Sequence, residues 1–150
     1  MCSIFGIYSP NNNLEKDPIE IMENLKINTS HRGKDFSNYL SINKGLYLGH
    51  NRLKIVDKSN YSNQPFFDKE NGDYLTFNGE IYNYKQIKNR YATKGDLSRK
   101  SSDTEVLFKI FKKYKKEALN LIDGMYSFAF WDSDLKKIYL VRDPLGIKPL

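Results

Sequence analysis

Two apolar runs near the end of the chain, residues 125–131 and 138–141, limit its architecture more than any other feature. Nearly every position in both is apolar, and the polar Asp132-Ser133-Asp134 between them reads as a turn joining two strands. A strand on a one-sided sheet alternates apolar with polar residues, whereas one apolar on both faces has to be covered on both. The expectation is a layered α+β arrangement with helices over sheets. With 39% hydrophobic and 14% aromatic residues in 150, there is apolar material for one domain over residues 1–150.

The rest of the chain supplies elements for such layers. Residues 4–8 read as a short buried strand stopped by Ser9-Pro10-Asn11-Asn12-Asn13. Asp17-Pro18 signals a helix start, continued by Ile19, Met22 and Leu25 toward Asn28 and followed by a loop with His31-Arg32-Gly33. Residues 46–48 and 53–56 look like strand pieces flanking Gly49-His50-Asn51-Arg52, and Asn71-Gly72 turns the chain into a strand over 74–77. A helix is expected over 84–91. The capping-box pattern Ser102-Asp103-Thr104-Glu105 opens an amphipathic helix expected to reach about Glu117.

Charge and histidine content narrow the function classes. The net charge of +6 would suit an anionic partner, but Lys112, Lys113, Lys115 and Lys116 lie opposite Val106, Leu107, Ile110, Phe111 and Tyr114. That is the pattern of a solvated helix face, so no nucleic-acid partner is expected. His31 and His50 are the only histidines and lie outside zinc-motif spacings; the expectation is no metal, with both rings satisfied by nearby backbone or carboxylates. No apolar run approaches the ~20 residues that span a bilayer, and no basic segment precedes 4–8 as a signal peptide requires, so a cytoplasmic location is expected.

The lone cysteine, Cys2, is the most informative placement for chemistry. A small residue at position two permits removal of Met1, which leaves a free α-amine and a thiol on one residue. An α-amine ordinarily titrates near ~8 and a thiol near ~8.5, so such an amine can act as base for its own side chain, directly or through water. Read alone, an ordinary buried cysteine explains the residue equally well.

Several blocks bear on that choice. Cys2-Ser3-Ile4-Phe5-Gly6-Ile7 resembles the Cys-Gly-Ile-Phe-Gly-Ile start of class II glutamine amidotransferases. His31-Arg32-Gly33-Lys34-Asp35, the block from Gly49 to Asp57, Gln64-Pro65-Phe66, Asn78-Gly79-Glu80-Ile81-Tyr82-Asn83, Ser102 to Leu107 and Arg142 to Leu150 match in that family's order. Arg52-Leu53 resembles the asparagine synthetase branch, since the sugar- and phosphoribosyl-amidating branches carry an aromatic residue after the arginine. The resemblance implies an N-terminal-nucleophile hydrolase fold, a four-layer αββα sandwich of antiparallel sheets. It further implies cleavage of L-glutamine to L-glutamate and ammonia through a Cys2 thioester, with the ammonia passed to a synthetase domain that uses ATP and Mg to amidate aspartate.

The same resemblance implies catalytic roles for Cys2, Asn78 and Gly79, and substrate binding by Arg52, Leu53, Ile55, Val56, Asn78, Gly79, Glu80 and Asp103. Each also makes chemical sense. Arg52 can fork onto an α-carboxylate. Asp103, with Glu80 as second acceptor, can take an α-ammonium, although an acidic residue at a helix start is favoured in any case. Asn78-Gly79 can form an oxyanion hole, but between apolar segments it is also a leading hairpin-turn signal.

Two residues depart from the family pattern: Ser3 stands where it has glycine and Lys34 where it usually has proline. A Cβ beside the nucleophile can resist backbone torsions that glycine allows. No Ser-Gly-Gly-type pyrophosphate loop occurs, so no cofactor is expected in this domain, and the family's domain continues past Leu150. A truncated sheet would expose an edge able to pair with a second chain, making a homodimer possible. The readings left open are an active glutaminase, a non-catalytic glutamine-binding or interaction module, and a glutaminase of another amidotransferase branch.

Overall fold

The structure, a computed structural model, describes residues 2–54, 60–91 and 102–150. Two antiparallel sheets face one another. The first has strand order β1-β3-β2, from β1 (Ser3–Tyr8), β2 (Phe36–Asn43) and β3 (Leu46–Arg52). The second has order β4-β5-β6-β7, from β4 (Phe66–Phe67), β5 (Tyr74–Ile81), β6 (Gly124–Asp132) and β7 (Lys137–Arg142). Helix α1 (Pro18–Asn28) packs on the first sheet, while α2 (Tyr84–Tyr91) and α3 (Asp103–Tyr114) pack on the second. The order of layers is the expected αββα.

The larger core lies between α3 and the outer face of the second sheet. Leu75, Phe77, Phe128 and Phe130 point outward there and meet Val106, Leu107, Ile110 and Phe111 of α3 and Ile87 of α2. Phe111 is wholly buried, with ring centroids of Phe128, Phe130 and Tyr139 at 5.1, 5.0 and 5.5 Å. Each such fully buried side chain contributes roughly 1.5–3 kcal/mol of transfer free energy. Strand alternation turns Thr76, Asn78, Ser127, Ala129 and Trp131 to the opposite face, toward Leu46 and Leu48 of the first sheet.

Local signals explain most element ends. Asp17 accepts from the Ile19 N–H at 3.0 Å with Pro18 in the first turn of α1, and Ser102 accepts from the Glu105 N–H at 3.4 Å to start α3. α3 stops at Tyr114, short of Glu117, because Lys115 takes φ +51° and the chain continues as a 3₁₀ turn over Lys115–Asn120.

Four expectations need correction. β3 is one strand through Gly49-His50-Asn51-Arg52, paired on both sides, rather than two pieces flanking those residues. β2, with its polar sequence FSNYLSIN, was not expected as a strand; pairing with β3 makes it one. β7, the sheet's edge, is not fully covered on both faces: Ile138 packs against the core between the sheets, but Leu140 on the same face is 63% exposed. Finally, the lysine face of α3 and the turn after it is not wholly solvated: Lys112 pairs with Asp68 and Lys115 with Asp132, each at 2.5 Å.

Candidate active site

β1 brings the nucleophile candidate to the sheet. Ser3 pairs with Asn51, so Cys2 lies at the end of β3 beside Arg52 and Leu53. The Leu53 N–H donates to Cys2 Sγ at 3.4 Å, and the thiol points back to the Leu53 carbonyl at 3.8 Å. Leu53 is held by its neighbours: Asp35 donates its N–H to the Arg52 carbonyl, and its carboxylate accepts from the Lys54 N–H at 2.7 Å. Arg52 is buried, with Nη1 donating to Asn63 Oδ1 at 2.7 Å.

From the other side, Arg32 Nε donates to the Cys2 carbonyl at 3.1 Å. Arg32 belongs to a quoted sequence block, yet no role followed from the sequence; the backbone carbonyl it grips became visible only in three dimensions. Its Nη2 is buried without a hydrogen-bond partner. Arg32, Ser3, Thr76 and Asn78 line one cavity of about 450 Å³ between the sheets, which continues along Ile4, Leu48 and Ala129 to Ile138 and Leu140. Asn78 therefore opens on the same space as Ser3 and Arg32, the neighbours of Cys2, while Cys2, Arg52, Gly79 and Asp103 do not themselves line it.

Asn78 and Gly79 sit in mid-strand, opposite Ser127 and Tyr126, which removes the hairpin-turn reading. Gly79 takes φ +157°, and a Cβ there would lie 2.2 Å from the Met125 carbonyl oxygen, so only glycine lets β5 and β6 close up beside Asn78. The Gln64 side chain accepts from the Phe77 N–H at 2.6 Å, fixing the strand just before Asn78. On the far side of Tyr126, Asp143 accepts from the backbone N–H groups of Tyr126, Ile147 and Lys148, anchoring the Arg142 to Lys148 block against Gly79's partner.

Glu80 is exposed at the end of β5, and Asp103 opens α3 next to it. The Asp103 carboxylate accepts from the Ile81 N–H at 3.3 Å and the Thr104 N–H at 2.8 Å. Burial raises its pKa above the ordinary carboxylate value, and the Glu80 carboxylate adds to this against those two N–H donors. The structure thus gathers Cys2, Arg52 and Leu53 at one sheet end and Asn78, Gly79, Glu80 and Asp103 along β5 and the start of α3. Ile55 and Val56 lie outside the described residues.

The histidines divide. His31 Nδ1 meets the Asn28 carbonyl at 3.1 Å as expected. His50, which has no exposure, makes no hydrogen bond of ordinary geometry at either ring nitrogen among the described residues and meets only the Phe77 backbone more weakly, so the expectation that its ring would be satisfied holds there in part. Burial, aided by the Arg52 guanidinium, pushes its pKa down to about 3 against the Phe77 carbonyl, so the ring is neutral. Among the described residues no cluster of His, Cys, Asp and Glu is placed to hold a metal, and no helix is long and apolar enough to cross a membrane.

Ser3 proves compatible with its position. It has ordinary extended backbone within β1, and its buried hydroxyl donates to the Thr29 carbonyl at 3.3 Å. The strain expected from a Cβ beside Cys2 is absent. Lys34 is exposed.

A family model described as a glutamine amidotransferase domain matches residues 1–150. The chain is 34% identical over 151 residues to glutamine-hydrolysing asparagine synthetase 1 of Bacillus subtilis, covering 100% of this chain and 24% of that protein. It is 35% identical over 154 residues to glutamine-hydrolysing asparagine synthetase B of Escherichia coli, covering 100% of this chain and 26% of that protein. The chain thus spans about a quarter of the length of these relatives. Among solved structures, a glutamine phosphoribosylpyrophosphate amidotransferase from B. subtilis superposes with a TM-score of 0.73 at 22% identity, over 97% of this chain and 38% of the other, a likeness of fold.

Proposed function

Because this chain belongs to the glutamine amidotransferase domain family, we propose that it is the glutaminase part of a glutamine-dependent asparagine synthetase. It hydrolyses L-glutamine to L-glutamate and ammonia and hands the ammonia to a synthetase domain for amidation of aspartate. The observation that carries this reading is the setting of Cys2: sulfur against the Leu53 N–H and carbonyl against Arg32, with Arg32 and the adjacent Ser3 lining the space that Asn78 also lines. The Arg52-Leu53 pair and the likeness to asparagine synthetases at 34–35% identity support the aspartate-amidating branch.

In the proposed cycle Met1 is removed and the Cys2 amine takes the thiol proton as sulfur attacks the glutamine side-chain carbonyl. Negative charge develops on that oxygen, where the Asn78 amide and Gly79 N–H donate to it. The amine returns its proton to the departing nitrogen, ammonia leaves, and a γ-glutamyl thioester remains. Water then attacks the thioester while the amine takes its proton and passes it to the departing sulfur, giving glutamate and free thiol. Arg52 holds the substrate α-carboxylate, Asp103 and Glu80 its ammonium, and Leu53, Ile55 and Val56 complete the binding surface.

The cycle needs no cofactor in this domain; ATP and Mg serve the synthetase portion, and the protein works in the cytoplasm. The test is release of glutamate and ammonia from glutamine by the purified protein, with Cys2→Ala as control. Activity that disappears in the variant is the expected result; glutamate release that persists in it contradicts the reading.

A further inference from the structure

Behind the nucleophile, four polar side chains tie α1 to all three strands of the first sheet. Asn51, with no exposure, stands at their centre. Its Nδ2 donates to the Lys26 carbonyl at 3.0 Å and to Thr29 Oγ1 at 2.8 Å, and its Oδ1 accepts from Ser37 Oγ. Thr29 Oγ1 donates in turn to the Leu25 carbonyl at 2.7 Å, and Ser3 Oγ donates to the Thr29 carbonyl. The last carbonyls of α1, which a helix leaves without intrahelical partners, are thus partly occupied by Asn51 of β3 and by Thr29 itself, and Ser3 of β1 takes the carbonyl of the capping residue.

This arrangement sits where packing alone would have been served by an apolar residue. A buried amide with every polar atom bonded fixes one arrangement of its neighbours, whereas an apolar side chain tolerates several. Three residues after Thr29 comes Arg32, whose Nε grips the Cys2 carbonyl. Directly after Arg32, Gly33 lies so close to β3 that a Cβ would stand 2.4 Å from the Asn51 carbonyl oxygen. The route from Asn51 to the nucleophile is therefore short and stiff: amide to helix end, helix end to Arg32, Arg32 to Cys2.

We infer that Asn51 is a positioning residue for the amidotransferase reaction, setting through Thr29 and Arg32 the orientation of the amine and thiol of Cys2. The inference rests on the glutaminase reading above. It also gives Ser3 a part: in this chain the hydroxyl at the family's glycine position adds a second tie between the helix end and the residue beside the nucleophile.

The test uses Asn51→Leu and Thr29→Val, near-isosteric changes, in the protein, with iodoacetamide titration of Cys2 to count reactive sites. Turnover per reactive site should fall tenfold or more in Asn51→Leu and about threefold in Thr29→Val, while KM for glutamine stays within twofold. A role in folding alone would instead lower the number of reactive sites and leave turnover per site unchanged, overturning the inference. Should Asn51→Leu fail to fold, Thr29→Val and Ser3→Ala decide: unchanged turnover per site in both overturns it. If the unmodified protein releases no glutamate, the failure belongs to the glutaminase reading.

Discussion

Asn78 and Asp103 carry the sharpest predictions for single residues. One oxyanion donor is worth about 3 kcal/mol in the transition state, so Asn78→Ala should lower kcat by about a hundredfold with little change in KM. A loss below threefold removes Asn78 from the mechanism. Asp103 is held with a raised pKa by burial and by Glu80, which outweigh its two N–H donors, so an arriving ammonium would stabilise its charge further. KM for glutamine should therefore climb as pH falls through that raised value, and Asp103→Asn should raise KM about tenfold or more and flatten the climb. For stability the sign is opposite. A carboxyl whose folded pKa exceeds its unfolded one favours the fold below the unfolded value and loses that contribution as pH rises through the folded one. Asp103→Asn should thus raise the melting temperature at pH 7. A lowered melting temperature together with an unchanged KM would contradict both assignments.

Strands and helices differ in how openly the sequence announces them. β6 was legible because residues on both of its faces are apolar, and α1 because Asp17-Pro18 is a start signal that needs no partner. β2 was not: its half-buried positions recur at nearly every second residue, but Asn38 is among them and Tyr39 breaks the alternation, so the polar sequence hides a strand that the register with β3 makes. The end of α3 was hidden for a related reason, since a lysine rather than a glycine takes the positive φ that stops it. Gly79 ties element to site. Gly79→Ala places a Cβ against the Met125 carbonyl at +157°, whereas Gly72→Ala, at φ +73°, meets nothing nearer than the Ser133 hydroxyl at 3.2 Å. Thermal unfolding should show Gly79→Ala costing more than the ~1–3 kcal/mol expected of backbone strain alone, and Gly72→Ala falling within it. Equal costs would mean that β5 and β6 do not need their close approach.

For the whole molecule, two sheets pressed together trap a neutral imidazole between them. His50 has a folded pKa of about 3, well below that of an unfolded histidine, so its contribution to stability is complete above roughly pH 6.5 and drains away toward pH 3, at about 1.4 kcal/mol per pH unit. Urea unfolding at pH 7 and pH 4.5 should show a smaller loss in His50→Leu than in the unmodified protein; equal losses would refute the assignment. The apolar strands gave helices layered over sheets, whereas the four-layer sandwich came with the family resemblance, and the candidate site did not follow from periodicity or charge. The residues proposed for it were legible as motif blocks, through the resemblance that those blocks carry. The Asn51 network, made of contacts between residues 14 to 25 apart, needed the register of three strands. All of this converges on one terminal residue, and intact-mass analysis of protein quenched in acid during turnover with glutamine tests it most directly. The account predicts a chain beginning at Cys2 and carrying a hydroxylamine-labile γ-glutamyl group on that residue. A chain that keeps Met1, or glutamate formed with no adduct on Cys2, would contradict it.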